Sequence, residues 1–417
     1  MNSIHIQGGV ALQGKVRIQG SKNAVLPILA ATLLTKETSY IRNCPRIADV
    51  YKMVSLLKSL GCSVSWDEGG IRINAERVCC GDMPVEAVTG MRSSLCLLGA
   101  LIGRCGEVIM EHPGGCVIGE RPIDLHIQAL EQMGVVFREE EGRMMAFAQN
   151  LHGAEITLPF ASVGATENII LAAVMAEGDT IVYGAAKEPE IEALCSYLEC
   201  CGANIDGAGS SVLRIRGGRP LYDAEYLVPA DRIVAGTYLF GCLGTGGNTL
   251  LEQAPWKDMK SVIRIAEQMG AQCTVAEEGL YVQAPERPKS IGFLRTEPYP
   301  GFPTDLQSMA LAVQTLGDGD CVIEETIFEN RFRVVEPLKK MGADIEVQGA
   351  GRILVRGRET LRGTAVEAKE LRGGAALVLA GLMAEGETTI TGCQYIYRGY
   401  ENICRDLREL GARIISV

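Results

Sequence analysis

The sequence predicts an α/β protein of two domains, each built from three copies of one unit with helices buried and sheets outside. Three observations carry that expectation. First, a short segment that ends a helix and opens a strand occurs six times, as LGCSV, MGVVF, CGANI, MGAQC, MGADI and LGARI. Its glycines (Gly61, Gly134, Gly202, Gly270, Gly342 and Gly411) are separated by 73, 68, 68, 72 and 69 residues, so six repeats of about seventy residues fill the chain. Each glycine fits the position just past a helix, where the backbone turns left-handed. Second, segments such as ENIILAAVMA are apolar nearly all round, as a helix buried on every side must be. Third, the strands alternate, as in Ile71-Arg72-Ile73-Asn74 and Leu213-Arg214-Ile215-Arg216, which gives one dry face and one wet face.

Taken in order, each repeat offers an apolar helix, a tight turn and a strand. ILAATLLTKETSYIRN (28–43), AAVMAEGDTIVYG (172–184), LFGCLGTGGNTLLE (239–252), LAVQTLGDGDCVIEE (311–325) and AGLMAEGETTITG (380–392) all read this way. GTGGN at 244–248 falls in the turn slot, so it is a turn and not a phosphate loop. The repeat places one domain at 22–229 and the other at 230–417 together with the N-terminal strands of 1–21. The active site is expected in the cleft between them, where small ligands prefer to bind.

At 417 residues the chain is too long for one ordinary core. A hydrophobic content of 47% with 22% charged residues is that of a globular protein. A net charge of −11 argues against nucleic acid as a partner, which needs a basic face, but leaves room for an anionic small molecule held by a few local cations. The N-terminus lacks the pattern of a signal peptide and no apolar run is long enough to span a membrane, so a cytoplasmic protein is expected. The fifteen cysteines show no framework spacing and read as free thiols in a reducing compartment. The four histidines form no ligand motif, and no metal site is expected.

Cys116 stands apart from the other thiols. It lies in HPGGCVIGERP (112–122), between glycines and bracketed by prolines, five residues before Arg121. Lys22 and Asn23 open the buried helix SKNAVLPILAATLL, where a cation is unfavourable beside the helix dipole unless an anion is also present. Arg92, Arg121, Arg331, Arg372 and Arg398 stand next to turn or helix signals, and arginine offers a rigid fork for carboxylate and phosphate oxygens. Asp305, in YPGFPTDLQ, is either an acidic group of the site or the N-cap of the next helix.

With SKNAVLPILAA, PGGCVIGERPIDLH, PTD and ENRF in this order, the chain resembles the enolpyruvyl transferase family over essentially its whole length, and within it the UDP-N-acetylglucosamine 1-carboxyvinyltransferases. The resemblance implies the inside-out α/β barrel of that family. It also implies transfer of the enolpyruvyl group of phosphoenolpyruvate to the 3′-hydroxyl of UDP-N-acetylglucosamine with release of phosphate, for cell-wall peptidoglycan, with no metal or organic cofactor; the sequence does not fix the oligomeric state, and a monomer is expected. In that setting Cys116 is the general acid for the vinyl carbon, adds to C2 of phosphoenolpyruvate, and is the residue alkylated by fosfomycin. Asp305 is the base for the sugar hydroxyl. Lys22, Arg121 and Arg398 hold the phosphate, and Arg331 and Arg372 help with the anionic groups. Asn23, Arg92, Arg121, Pro122, Ile123, Asp124, Leu125, Ser162, Val163, Gly164, Asp305 and Ile327 line the nucleotide-sugar site. Five positions depart from the family pattern: Ala48 and Phe160 where basic residues are usual, Val234 where many members have glutamate, and Tyr395 and Tyr397 in place of a His-x-Asp. The sister activity, 5-enolpyruvylshikimate-3-phosphate synthesis, goes with SKS and lacks the cysteine loop, so Asn23 and Cys116 favour the nucleotide sugar.

Overall fold

The computed structural model describes residues 3–79, 81–82, 92–111, 123–140 and 142–417. The chain forms two compact units, one from Gly20 to Pro229 and one from the segment up to Gln19 together with Ala230–Val417, apart from the undescribed loop. Each crossing is held inside its own unit: Ser21 N donates to Pro229 O (2.8 Å) in one, and Asp231 N to Gln19 O (2.9 Å) in the other. Gly20 is required at its crossing, because a Cβ there would lie 1.9 Å from the carbonyl oxygen of Asn43.

In the 20–229 unit, helices α1 (Lys22–Ala31), α3 (Cys96–Cys105) and α5 (Val163–Ala173) are the apolar ones, and α2 (Ala48–Ser59), α4 (Asp124–Gln132) and α6 (Pro189–Cys200) are amphipathic. In the other unit α7 (Arg232–Gly244), α9 (Thr304–Gln314) and α11 (Leu371–Met383) are apolar, while α8 (Lys260–Gln268), α10 (Val335–Lys340) and α12 (Ile403–Glu409) are shorter. From Ala165 to Ala173 every side chain of α5 is buried, and so is every one of α7 from Arg232 to Leu243. A helix with no polar face has to be surrounded, and these form the centre of each core.

Among the described residues, six four-stranded sheets cover the helices, three in each unit. All share one plan, in which the first strand is parallel to the second and the remaining neighbours are antiparallel. Ile71, Ile73, Leu213 and Ile215 are fully buried, while Arg72 and Arg214 between them are exposed. Three sheets borrow strands from far away, one of them taking Gln13–Arg17 beside Asn248–Glu252. Glu225–Leu227 joins Thr38–Arg42, and Ser3–Gln7 is inserted between Glu387–Thr391 and Arg413–Ser416.

The six repeated glycines all adopt positive φ, from 87° to 101°. At each one the following residue donates its N–H back to a carbonyl five residues earlier, as Cys62 does to Leu57 O (3.0 Å) and Ala412 to Leu407 O (2.9 Å). This is the Schellman closure, and a side chain at the glycine would strain it. The GTGGN segment ends α7, turns at Gly246 (φ 67°) and enters the strand at Asn248. The expectation of free thiols needs one correction: twelve described cysteines are free, but Cys105 is disulfide-bonded. Among the described residues no helix is long and apolar enough to cross a membrane.

Candidate active site

The acidic candidate, Asp305, is held by two buried arginines. Asp305 is the second residue of α9, whose N-cap is Pro303, so its side chain does not cap the helix. Its Oδ1 accepts from Arg331 Nη2 (2.5 Å) and its Oδ2 from Arg372 Nη2 (2.6 Å). Both arginines are buried, 2% and 4% exposed, while the carboxylate keeps 24% of its surface open. Two cations on one carboxylate hold it in its charged form and gather positive charge where an anion can bind. Burial pulls the Arg372 pKa down, but the charges of Asp305, Tyr400 and Asp231 outweigh it and raise it above the usual arginine value. Nε of Arg372 is buried without a hydrogen-bond partner.

Local sequence explains the placement. Glu370 caps α11, accepting from Arg372 N (2.7 Å) and Gly373 N, and so sets the residue that reaches Asp305. Arg331 opens the short 3-10 turn Arg331–Val334, and its Nε and Nη2 also donate to Thr304 O (3.3 and 3.2 Å). Ile327 is half-buried, and its N–H donates to Glu325 Oε1 (2.8 Å). Arg398 ends the turn Ile396–Arg398 and is half-buried; the adjoining Gly399 O accepts from Gln19 Nε2 (3.1 Å).

In the other unit, Lys22 is the first residue of α1 behind the cap Ser21, whose Oγ accepts from Ala24 N (3.3 Å). It is not a solvated surface lysine. It is 8% exposed and its Nζ lies 2.8 Å from Oδ2 of the fully buried Asp49 in α2. The anion that the helix start called for is thus supplied by the chain. Asn23 is half-buried beside it. Ser162 caps α5 through Ala165 N (3.3 Å), with Val163 and Gly164 as the first two helical residues. A Cβ at Gly164 would lie 3.0 Å from His126 Cε1, so the imidazole packs closely on this glycine. That histidine meets Asn168 Nδ2 (3.0 Å). Ile123 precedes α4, Asp124 is its exposed first residue and Leu125 is half-buried. Arg92 begins the turn Arg92–Leu95. Cys116, Arg121 and Pro122 lie outside the described residues.

Sequence reasoning missed Asp49, Glu325, Glu370 and Glu167. Glu370 was findable as an acid just before the helix LRGG; the others carry no local mark. Glu167 lies in α5, 6% exposed, with Cys96 Sγ donating to its Oε2 (3.2 Å). Burial pushes its pKa from 4.5 up to about 8; the Cys96 bond works against this, and Glu190 and Glu188 add to it. The folded state therefore holds a proton that the unfolded state loses above about pH 4.5, and stability falls as pH rises from there to about 8. The melting temperature of wild type is expected to drop by several degrees between pH 5.5 and 8. In Glu167→Gln that particular drop disappears; an unchanged slope in the variant would remove Glu167 as its source.

The EPSP synthase (3-phosphoshikimate 1-carboxyvinyltransferase) family model matches residues 6–407. Curated relatives are closer in name to the nucleotide sugar. UDP-N-acetylglucosamine 1-carboxyvinyltransferase 2 of Caldanaerobacter subterraneus subsp. tengcongensis is 43% identical over 417 residues, covering all of both chains. The chain belongs to the enolpyruvyl transferase family, among the UDP-N-acetylglucosamine 1-carboxyvinyltransferases. The enzyme of that name from Desulfovibrio desulfuricans is likewise 43% identical, covering 99% of both chains. Among solved structures, the enolpyruvyl transferase NikO from Streptomyces tendae superposes with a TM-score of 0.87 at 22% identity, over 99% of this chain and 98% of that one. EPSP synthase from Acinetobacter baumannii gives 0.75 at 20%, over 100% and 99%. Those two establish the α/β fold of the enolpyruvyl transferases for this chain. Against the family pattern, Val234 is buried in the core at 1% exposure, Phe160 is 51% exposed, and Tyr395 and Tyr397 are half-buried.

Proposed function

We propose that this protein transfers the enolpyruvyl group of phosphoenolpyruvate to the 3′-hydroxyl of UDP-N-acetylglucosamine and releases phosphate, the first committed step of peptidoglycan precursor synthesis, in the cytoplasm. The carrying observation is the Asp305 carboxylate clasped by two buried guanidinium groups, in a chain 43% identical end to end to enzymes of that name. Asp305 takes the proton of the sugar hydroxyl as its oxygen attacks C2, and Cys116 gives a proton to C3, forming a tetrahedral ketal phosphate. Phosphate then leaves with the C2–O bonding pair, C3 returns its proton, and the enol ether is restored. Lys22, Arg121 and Arg398 hold the phosphate; Arg331 and Arg372 balance the charge that develops. Asn23, Arg92, Arg121, Pro122, Ile123, Asp124, Leu125, Ser162, Val163, Gly164 and Ile327 line the sugar-nucleotide site. We read the fold as an inside-out α/β barrel of six repeats, which the common strand plan of the six sheets supports.

The test is phosphate release from phosphoenolpyruvate with and without UDP-N-acetylglucosamine, for wild type and Cys116→Ala. Release that needs the sugar nucleotide and collapses in the variant is expected. A folded wild type that binds the sugar nucleotide but releases nothing would sink the proposal.

A further inference from the structure

Glu325 sits just past the strand Asp320–Glu324, is 7% exposed, and lies in none of the roles above. Its backbone is fixed on both sides. Glu325 N donates to Gly351 O (2.8 Å), and Thr326 donates twice to Thr296, its N–H to Oγ1 (3.0 Å) and its hydroxyl to the carbonyl (2.6 Å). From this anchor the carboxylate reaches two places at once. Oε1 accepts from Ile327 N (2.8 Å) and Phe328 N (3.1 Å), and Oε2 accepts from Thr304 Oγ1 (2.9 Å). Thr304 is the first residue of α9, directly before Asp305, and its carbonyl takes the guanidinium of Arg331. A chain of bonds thus runs from Glu325 through Thr304 and Arg331 to Asp305, and a second branch ends at Ile327.

We propose that Glu325 is a positioning residue that sets the Asp305 carboxylate and the Ile327 segment in one register, so that the base and the sugar-nucleotide wall are held at a fixed separation. This rests on the reading that Asp305 is the base and Ile327 lines the nucleotide site. Three hydrogen bonds converge from two elements on one carboxylate whose own backbone is pinned, so loosening it moves both elements. Small displacements of reacting groups cost rate steeply, on the order of 100-fold for about 1 Å.

The experiment compares Glu325→Ala, Glu325→Gln and Thr304→Val in steady-state phosphate release with phosphoenolpyruvate and UDP-N-acetylglucosamine, with Asp305→Asn as control. In Glu325→Ala, kcat is expected to fall by about 10- to 100-fold and KM for the sugar nucleotide to rise severalfold. Thr304→Val cuts only the Asp305 branch, so kcat falls while that KM stays. Glu325→Gln regains most of the activity, because its amide oxygen still accepts from the two backbone N–H groups and its amide nitrogen can donate to the Thr304 hydroxyl. A merely structural role lowers kcat with the folded fraction and leaves KM alone, and that result in Glu325→Ala overturns the proposal. So does full activity in Thr304→Val, or a Gln variant as impaired as Ala. If Glu325→Ala does not fold, the Gln and Val variants decide. Wild-type turnover by Asp305→Asn would sink the base assignment by itself; the Ile327 branch then stands or falls on the KM of Glu325→Ala.

Discussion

Asp305→Asn is expected to lower kcat for sugar-dependent phosphate release by about 100- to 10,000-fold, the range that a positioned general base contributes. The amide keeps the size of the side chain and one acceptor, so UDP-N-acetylglucosamine should still bind. It removes the charge that Arg331 and Arg372 share at 2.5 and 2.6 Å. The alanine variant goes further. Two guanidinium groups, 2% and 4% exposed, then lose their common counter-charge. Breaking a buried ion pair from one side costs about 3–5 kcal/mol, because the remaining charge stays out of water without compensation. Asp305→Ala should therefore unfold at distinctly lower denaturant in the unit formed by the segment up to Gln19 and 230–417, while Asp305→Asn loses less. Kinetics of the Asn variant and unfolding midpoints of both separate the chemical role from the structural one. Turnover within about threefold of wild type for Asp305→Asn would rule the carboxylate out as the base.

The second large effect is expected at the other charged centre. Asp49→Ala leaves the ammonium of Lys22, 8% exposed, without the fully buried carboxylate 2.8 Å away, and should cost about 3–5 kcal/mol in the 20–229 unit. The pair Lys22→Met with Asp49→Leu should restore much of that stability, since apolar residues of similar volume often replace a buried ion pair without loss. Activity should not return with it, because the proposed phosphate ligand is gone. Denaturant midpoints and phosphate release on the two proteins check this. An Asp49→Ala protein as stable as wild type would mean that the pair contributes nothing to the fold, and a fully active double variant would remove Lys22 from the site.

The fold was legible in the sequence where one residue type answers one backbone demand. The six glycines beyond helix ends could be read because few other residues tolerate the left-handed turn found at all of them. The buried helices could be read because an apolar surface all round leaves no other solution. The charged partners were not legible. Lys22 pairs with a residue 27 positions away and Asp305 with one 67 positions away, separations that carry no periodicity. Asp305 read alone is as good a cap as a base; that the helix starts one residue earlier, with Pro303 as its N-cap, and that two arginines take its oxygens, is visible only in the structure. Glu325 is hidden in the sequence beside Glu324, an acid of the same type that instead pairs with Arg352 on the neighbouring strand.

The strand Ser3–Gln7 fills an inner place in its sheet, and Ser3 and Val417 exchange backbone bonds at 3.1 and 2.9 Å. Time therefore enters the folding of this chain. Residues 20–229 emerge from the ribosome as one contiguous stretch and can close their core while synthesis continues. The strand Ser3–Gln7 precedes that stretch but has no partner until residues 387–417 appear, so it can pair only after the whole 20–229 unit has been made.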